Sequence, residues 1–419
     1  MIPGMRNWAG NLEYRAHAFH EPRSVEQLQE IVRGSERIRT LGSRHSFNAI
    51  TDTTGDLVSL ARMPRVVEID RDASTVTVDG GILYGELCRQ LDAEGLALHN
   101  LASLPHVSVA GACATGTHGS GDRSGSLATA IVALEHVRSD GELVSVDRGD
   151  VEAAAVSLGA LGVVTRLTLR VEPTYRVRQD VYEDLPLEAF AAHFDELTAS
   201  AASISFFTEW RGPSVDQVWL KRRVRDRDAT DPSAGLFGAA PATQERHPIR
   251  GFAADACTPQ LGVAGPWHER LPHFRMDHTP SSGDELQSEY LVPREQAVDV
   301  LVALDAIRDR IRPLVLVAEI RTIAADRLWL SMAHGRASAA FHFTWKPDAG
   351  AVDRLLPEIE AVLRPFEPRP HWGKVFAMPP DEVRSRYPRL PAFVALAREH
   401  DPDGKFSNAF LDRLVFARA

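Results

Sequence analysis

Two loops of small residues constrain this chain more than anything else in it. The first, Gly42-Ser43-Arg44-His45-Ser46-Phe47-Asn48, follows the short run Ile38 to Leu41 and carries one histidine at its tip. The second, Gly111-Ala112-Cys113-Ala114-Thr115-Gly116-Thr117-His118-Gly119-Ser120-Gly121, lies downstream. Glycine and serine at such points let a backbone come close to a ligand and leave N–H groups free to meet phosphate oxygens. Neither loop carries G-x-G-x-x-G after a strand, nor the G-x-x-x-x-G-K-[ST] of a P-loop. The first loop alone is an ordinary strand-to-turn connection. The two together read as a pair of phosphate cradles.

Around these loops the chain divides. At 419 residues it exceeds the size at which one hydrophobic core stops growing, so two domains are expected. Residues 23–34 carry a helical pattern closed by Gly34, followed by strand-like runs at 37–41, 57–60, 65–69 and 75–79 and a helix over 82–91. Ile131 to Val137 and Leu143 to Val146 read as a hairpin, with Asp140-Gly141 favouring a primed turn. A further strand over 163–171 completes an α+β unit ending near Pro173. Beyond Tyr175, strands are expected at 203–210, 216–224, 287–292, 314–321 and 339–345, and helices at 186–200, 294–311 and 350–363. A long sheet with helices on one face is the natural packing. The stretch 225–285, rich in Gly, Pro, Ala and His, is long for a structureless loop and reads as binding loops or a lid.

Several polar groups sit where they need a reason. In Leu314 to Arg321, five apolar residues precede Glu319, Ile320 and Arg321, and strand periodicity puts Glu319 and Arg321 on one face. Buried charge must be paired, so a structural ion pair at the strand end remains one reading. In Ala340 to Trp345 the same alternation separates His342 and Thr344 from three aromatics; a satisfied structural histidine is the bland alternative. Two strands offering polar pairs at i, i+2 steps resemble the floor of a polyol pocket, where unpaired hydroxyls are costly. Lys374, beside Gly373, is by itself an ordinary surface lysine. His106 and His118 lack a third ligand at a helical step, so no metal site is expected.

Composition excludes other classes. A net charge of −10 without a long basic run argues against nucleic-acid binding. Three widely spaced cysteines, Cys88, Cys113 and Cys257, fit reduced thiols in a cytoplasmic protein better than a disulfide framework. No apolar run of membrane-spanning length occurs, so no membrane partner is expected.

Two cradles and a tip histidine suggest a flavin dinucleotide held in an uncommon way, and six motifs in order sharpen this. They are G-S-x-H-S at 42–46, A-S-L-P-H at 102–106, G-T-H-G-S-G at 116–121, E-I-R at 319–321, H-F-T-W at 342–345 and H-W-G-K at 371–374. With them the chain resembles the bacterial alditol (polyol) oxidases of the vanillyl-alcohol-oxidase, PCMH-type FAD flavoproteins, relatives of the aldonolactone oxidases. The resemblance covers essentially the whole chain. It implies an α+β, two-domain fold: an FAD-binding domain at 1–173, a substrate domain with a long antiparallel sheet at 174–373, and a segment 374–419 returning to the first domain. FAD would be bonded covalently to His45. Further cofactor contacts would come from Leu41, Gly42, Ser43, Arg44 and Ser46, from Ser103 and Ser108, and from Gly111, Thr115, Gly116, Thr117, His118 and Gly119, with Val163 and Asn408 completing the set. Arg44 departs from the family pattern, which has glycine there.

The implied reaction oxidises the primary alcohol of an alditol of the xylitol or sorbitol class to an aldose and reduces O₂ to H₂O₂. Arg321, Lys374 and His342 would be catalytic; Ser103, Glu319 and Thr344, with Arg321 and Lys374, would hold substrate. An aldonolactone oxidase or dehydrogenase is the closest alternative. A metal-dependent hydrolase or a carbohydrate-binding module would be colourless. A monomer is expected.

Overall fold

The computed structural model describes residues 4–224, 235–278 and 285–417. Of the 225–285 stretch, residues 225–234 and 279–284 therefore lie outside the described residues.

Among the described residues, the first half builds a three-stranded sheet, a five-stranded sheet and the short antiparallel pair Leu96–Ala97 with Glu172–Pro173. Strands Ala18–His20, Asp56–Val58 and Ile38–Thr40 pair in parallel, with Asp56–Val58 in the centre. An antiparallel sheet orders its five strands Val67–Asp70, Thr75–Asp79, Val163–Arg170, Ile131–Val137 and Leu143–Asp147. Val163–Arg170 alternates buried and half-buried positions, the period-two pattern of a strand with one covered face. The helix Val25–Gly34 starts at Ser24, whose side chain accepts from the Gln27 N–H, and buries Leu28 and Val32 one turn apart. Its end is closed by Ser35, whose backbone N–H and Oγ both donate to the Ile31 carbonyl, rather than by a left-handed Gly34.

The expected hairpin forms, but its turn is different. Only Gly141 has positive φ (+81°), and the Arg138 N–H donates to the Glu142 carbonyl. The loop is thus three residues ending in left-handed glycine. A primed two-residue turn would need Asp140 to be left-handed as well.

The second half forms a nine-stranded sheet. Its main path runs Ala240–Pro241, Arg176–Pro186, Ser214–Val224, Ser203–Thr208, Val315–Ile323, Ser338–Trp345, Leu286–Pro293 and Arg369–Pro370, with Gly265–Pro266 also on Arg176–Pro186. All of its pairings are antiparallel. Helices Leu187–Ala199, Ala297–Asp305 and Ala349–Leu363 cover one face, where Ile320, Phe341, Phe343 and Trp345 pack with Phe190, Leu301 and Ile359. The opposite face carries charge. Arg176–Pro186 is hard to read in the sequence because buried Arg178, Gln179 and Asp180 interrupt its apolar positions: Arg178 and Arg222 pair with Asp180, and half-buried Glu183 pairs with Arg246.

After Arg369–Pro370 the chain turns back. Helices Pro380–Ser385 and Leu390–His400, with Tyr387 between them, bring Val383, Tyr387 and Phe393 into the same apolar cluster as Leu91, Leu127 and Leu167. Among the described residues, no helix is long and apolar enough to cross a membrane.

Candidate active site

A cavity of about 660 Å³ runs from the two small-residue loops to the charged face of the large sheet. At the loop end the packing leaves no room for side chains. A Cβ on Gly42 would stand 2.6 Å from Ser108 Oγ, and one on Gly111 2.7 Å from the same oxygen. Ser108 Oγ itself is buried without a hydrogen-bond partner, and Ser43 Oγ accepts from the Ser108 N–H at 3.2 Å. These two glycines therefore form a cradle shaped by close backbone approach.

His45 lies on the same wall. Its ring stacks on Trp8 at 5.1 Å between centroids and 21° between planes. Burial pulls its pKa down to about 4, so the imidazole is neutral at ordinary pH. Its Nδ1 is buried with no partner. An unpartnered nitrogen of a neutral ring beside a backbone cradle fits covalent attachment of a flavin, and the residues present fit FAD. Arg44 adopts φ +64°, the left-handed region, which accounts for glycine in the family pattern.

The other expected cofactor residues divide in two. Leu41, Ser46, Ser103, Thr115, Thr117 and His118 line the cavity. Gly116 and Gly119 lie behind its wall, Gly116 at φ +69° and Gly119 where a Cβ would meet the Leu101 carbonyl at 2.3 Å. The Val163 side chain is in the core with Leu28 and Phe406. Asn408 accepts from the Leu411 N–H as a helix cap and donates to the carbonyls of Ala49, Ile50 and Asp52. It ties the last segment of the chain to the one after the first loop.

At the sheet end, strand alternation brings Glu319, Arg321, His342 and Thr344 to the cavity together with a residue not singled out in the sequence, Glu289. Glu289 Oε1 accepts from Arg321 at 2.6 Å and Oε2 accepts from Lys374 Nζ at 2.6 Å. Burial opposes its charge, but Lys374 and Arg321 outweigh that and hold the carboxyl well below its usual range. Glu319 is likewise held ionised against burial by Arg321 and His273. Arg321 also donates to Ser103 Oγ at 3.4 Å. Lys374 Nζ stands 3.2 Å from His342 Nδ1, and His342 Nε2 stands 3.3 Å from Thr344 Oγ1. Burial, and then Lys374, push His342 well below its ordinary pKa, leaving a neutral ring that accepts at Nδ1. Lys374 is itself lowered, chiefly by burial.

Three more histidines join this end. His118 donates from Nδ1 to the Gly119 carbonyl and points Nε2 at Glu289 Oε1, 3.5 Å away. His371 accepts from the Gly373 N–H. His273, from the described part of the long loop stretch, donates to Glu319 Oε1 at 2.8 Å. The same stretch supplies His247, Ile249, Phe252 and Phe274 to the cavity wall. Glu289 was legible in principle, as the one charged residue of the strand Leu286–Pro293. His273 had no comparable signal. His106 bonds the Met276 carbonyl at 3.0 Å, and among the described residues no cluster of ligands could hold a metal ion.

Residues 16–147 match the FAD binding domain family and residues 283–414 match the family described as D-arabinono-1,4-lactone oxidase. The alditol oxidase of a Streptomyces species is 49% identical over 420 residues, covering 99% of this chain and 100% of that protein. The chain belongs to the alditol oxidase family. With that family it falls among the PCMH-type flavoproteins that also include aldonolactone oxidases. A Mycobacterium tuberculosis L-gulono-1,4-lactone dehydrogenase is more distant, 28% identical over 99% of this chain and all of its own length. Among solved structures, the cholesterol oxidase of B. sterolicum superposes with a TM-score of 0.79 over 98% of this chain and 96% of its own, at 15% identity. That likeness supports the expected α+β flavoprotein fold.

Proposed function

We propose that this family member is an FAD-dependent alditol oxidase, taking the primary alcohol of a xylitol- or sorbitol-class polyol to an aldose. The observation that carries the reading is the bridge Arg321–Glu289–Lys374 on the cavity face of the sheet. It presents two cations side by side, fixed by one buried carboxylate, where a developing alkoxide needs them. FAD, when bound, supplies the hydride acceptor and the route of the electrons to O₂, which becomes H₂O₂.

The chain's own residues bind the polyol and handle one proton. Arg321 and Lys374 hold the reacting hydroxyl oxygen. As its proton leaves, Lys374 passes one of its own to His342 Nδ1 and takes the substrate proton in exchange. The imidazolium so formed has the Glu319 carboxylate 3.9 Å away. Ser103, Glu319 and Thr344 pair with the remaining hydroxyls, which keeps an alditol chain in one register. His45, whose Nδ1 is buried without a partner, would hold the flavin, and the electron withdrawal of a covalent bond there would make it a stronger oxidant. The reading includes a cytoplasmic monomer; the three buried, unpaired thiols suit a reducing compartment.

The test is a visible spectrum of purified protein, then acid precipitation with in-gel fluorescence of the pellet. Flavin that stays with the denatured chain, and is released in His45→Ala, supports the attachment; flavin released from the wild type refutes it. Peroxide production on xylitol, sorbitol and L-gulono-1,4-lactone side by side decides the substrate class. A kcat/KM higher on the lactone would turn the reading to its lactone-oxidising relatives.

A further inference from the structure

Behind Glu319, away from the cavity, the buried charges continue. Lys221, on Ser214–Val224, is 1% exposed. Its ammonium has three N–H donors and three acceptors: the Leu271 carbonyl at 2.5 Å, the Pro272 carbonyl at 3.0 Å and His273 Nδ1 at 3.0 Å. With Nδ1 accepting, the neutral His273 ring carries its proton on Nε2, and that N–H donates to Glu319 Oε1 at 2.8 Å. Phe207, Trp219 and Phe274 pack edgewise around the ring and confine it between its two partners. The His273 backbone N–H donates to the Ser103 carbonyl, so the same residue also fixes the loop bearing Ser103.

We propose that Lys221 is a positioning residue of the polyol site: it locks the His273 tautomer that donates to Glu319 and so aims the Glu319 carboxylate at a substrate hydroxyl. This rests on the polyol reading of the cavity. A lysine this deep, with no carboxylate in direct contact, is expensive merely to fill space; setting a donor direction accounts for it. Without the ammonium, Nδ1 loses its donor, Glu319 alone selects the tautomer, and the ring is no longer held from both ends.

The groups facing Lys221 are Glu319 and Arg321 across His273, and the Cys257 thiol, which burial pushes up to about 12 and keeps neutral. Burial lowers Lys221 itself to about 7. Above that pH the amine keeps two N–H groups for three acceptors, and the lock on His273 weakens.

The experiment is steady-state kinetics of the flavin-loaded enzyme on xylitol between pH 6 and 9, with flavin content and Tm for each variant. Lys221→Met is expected to raise KM about tenfold, the weight of one hydrogen bond to a charged group, with kcat within about threefold. It also loses the rise in wild-type KM above about pH 7. His273→Phe should match it. His273→Gln, whose amide oxygen accepts from Lys221 and whose amide N–H donates to Glu319, should stay within about threefold of wild type. If Lys221→Met does not fold, the Phe and Gln variants at 273 decide alone. Equal KM values for those two, or a Lys221→Met enzyme with wild-type KM and pH dependence, overturn the proposal. A wild-type enzyme inactive on every alditol overturns the polyol reading instead.

Discussion

Replacing Glu289 by glutamine keeps the shape of the site and deletes one negative charge between two cations 2.6 Å away on either side. The carboxylate is 1% exposed, so no water takes over. Removing one partner of a buried ion pair costs about 3–5 kcal/mol. Unfolding entropy near 2.1 cal/mol/K per residue over the 419-residue chain makes that only about 3–6 °C in Tm if the chain melts as one unit. The larger consequence is chemical. Burial already lowers Lys374, and Glu289 is the strongest influence raising it; without Glu289 its pKa falls further. The ammonium is then lost at lower pH, and the glutamine amide cannot accept from both cations. The expected result is a kcat/KM on xylitol down by about 10²–10³, the cost of losing one preorganised stabilising contact, and an alkaline limb displaced to lower pH. The assay is peroxide-coupled kinetics from pH 6 to 10, normalised to bound flavin. Full flavin content with kcat/KM within threefold of wild type and an unmoved pH profile would refute the argument.

Other expectations follow from the same contacts. Gly42→Ala places a methyl 2.6 Å from Ser108 Oγ and should lower flavin incorporation severalfold. Ser108→Ala in the same chain should restore much of it, because Ser108 Cβ stands 3.8 Å away; absence of rescue counts against the cradle. Arg44 sits at φ +64°, so Arg44→Val should cost about 1–2 kcal/mol more than Arg44→Gly in urea unfolding, and equal costs would remove the backbone argument. His136 and His273 are held near 4 by burial, against about 6.5 in an unfolded chain. The unfolded state therefore binds more protons between those values, and stability should fall as pH drops from about 6.5 to 4. A Tm unchanged across that interval would contradict it.

Much of this fold could be read from periodicity because its strands have one apolar and one functional face. Ser338–Trp345 is the clearest case: Phe341, Phe343 and Trp345 pack under the helices, leaving His342 and Thr344 for the cavity. Arg176–Pro186 escaped the same reading. Its buried side chains include Arg178 and Asp180, whose burial is tolerable only because each meets an opposite charge. Periodicity detects apolar burial; it cannot detect burial that charged partners make possible, here Arg178 beside Asp180 and Arg222 reaching the same carboxylate from 42 residues away.

The same limit explains what was missed in the site. Glu319 and Arg321 announce themselves because they are two residues apart on one strand. Glu289 lies 32 residues before Arg321 and 85 before Lys374, and only antiparallel pairing across Ser338–Trp345 sets it opposite His342. Lys221 and His273 are 52 residues apart and meet through a loop without regular pattern. A buried charge needs partners, and two cations side by side on the cavity face call for a carboxylate between them. For Arg321 and Lys374 that carboxylate is Glu289, and its placement between them makes two repelling cations a stable pair that faces the substrate.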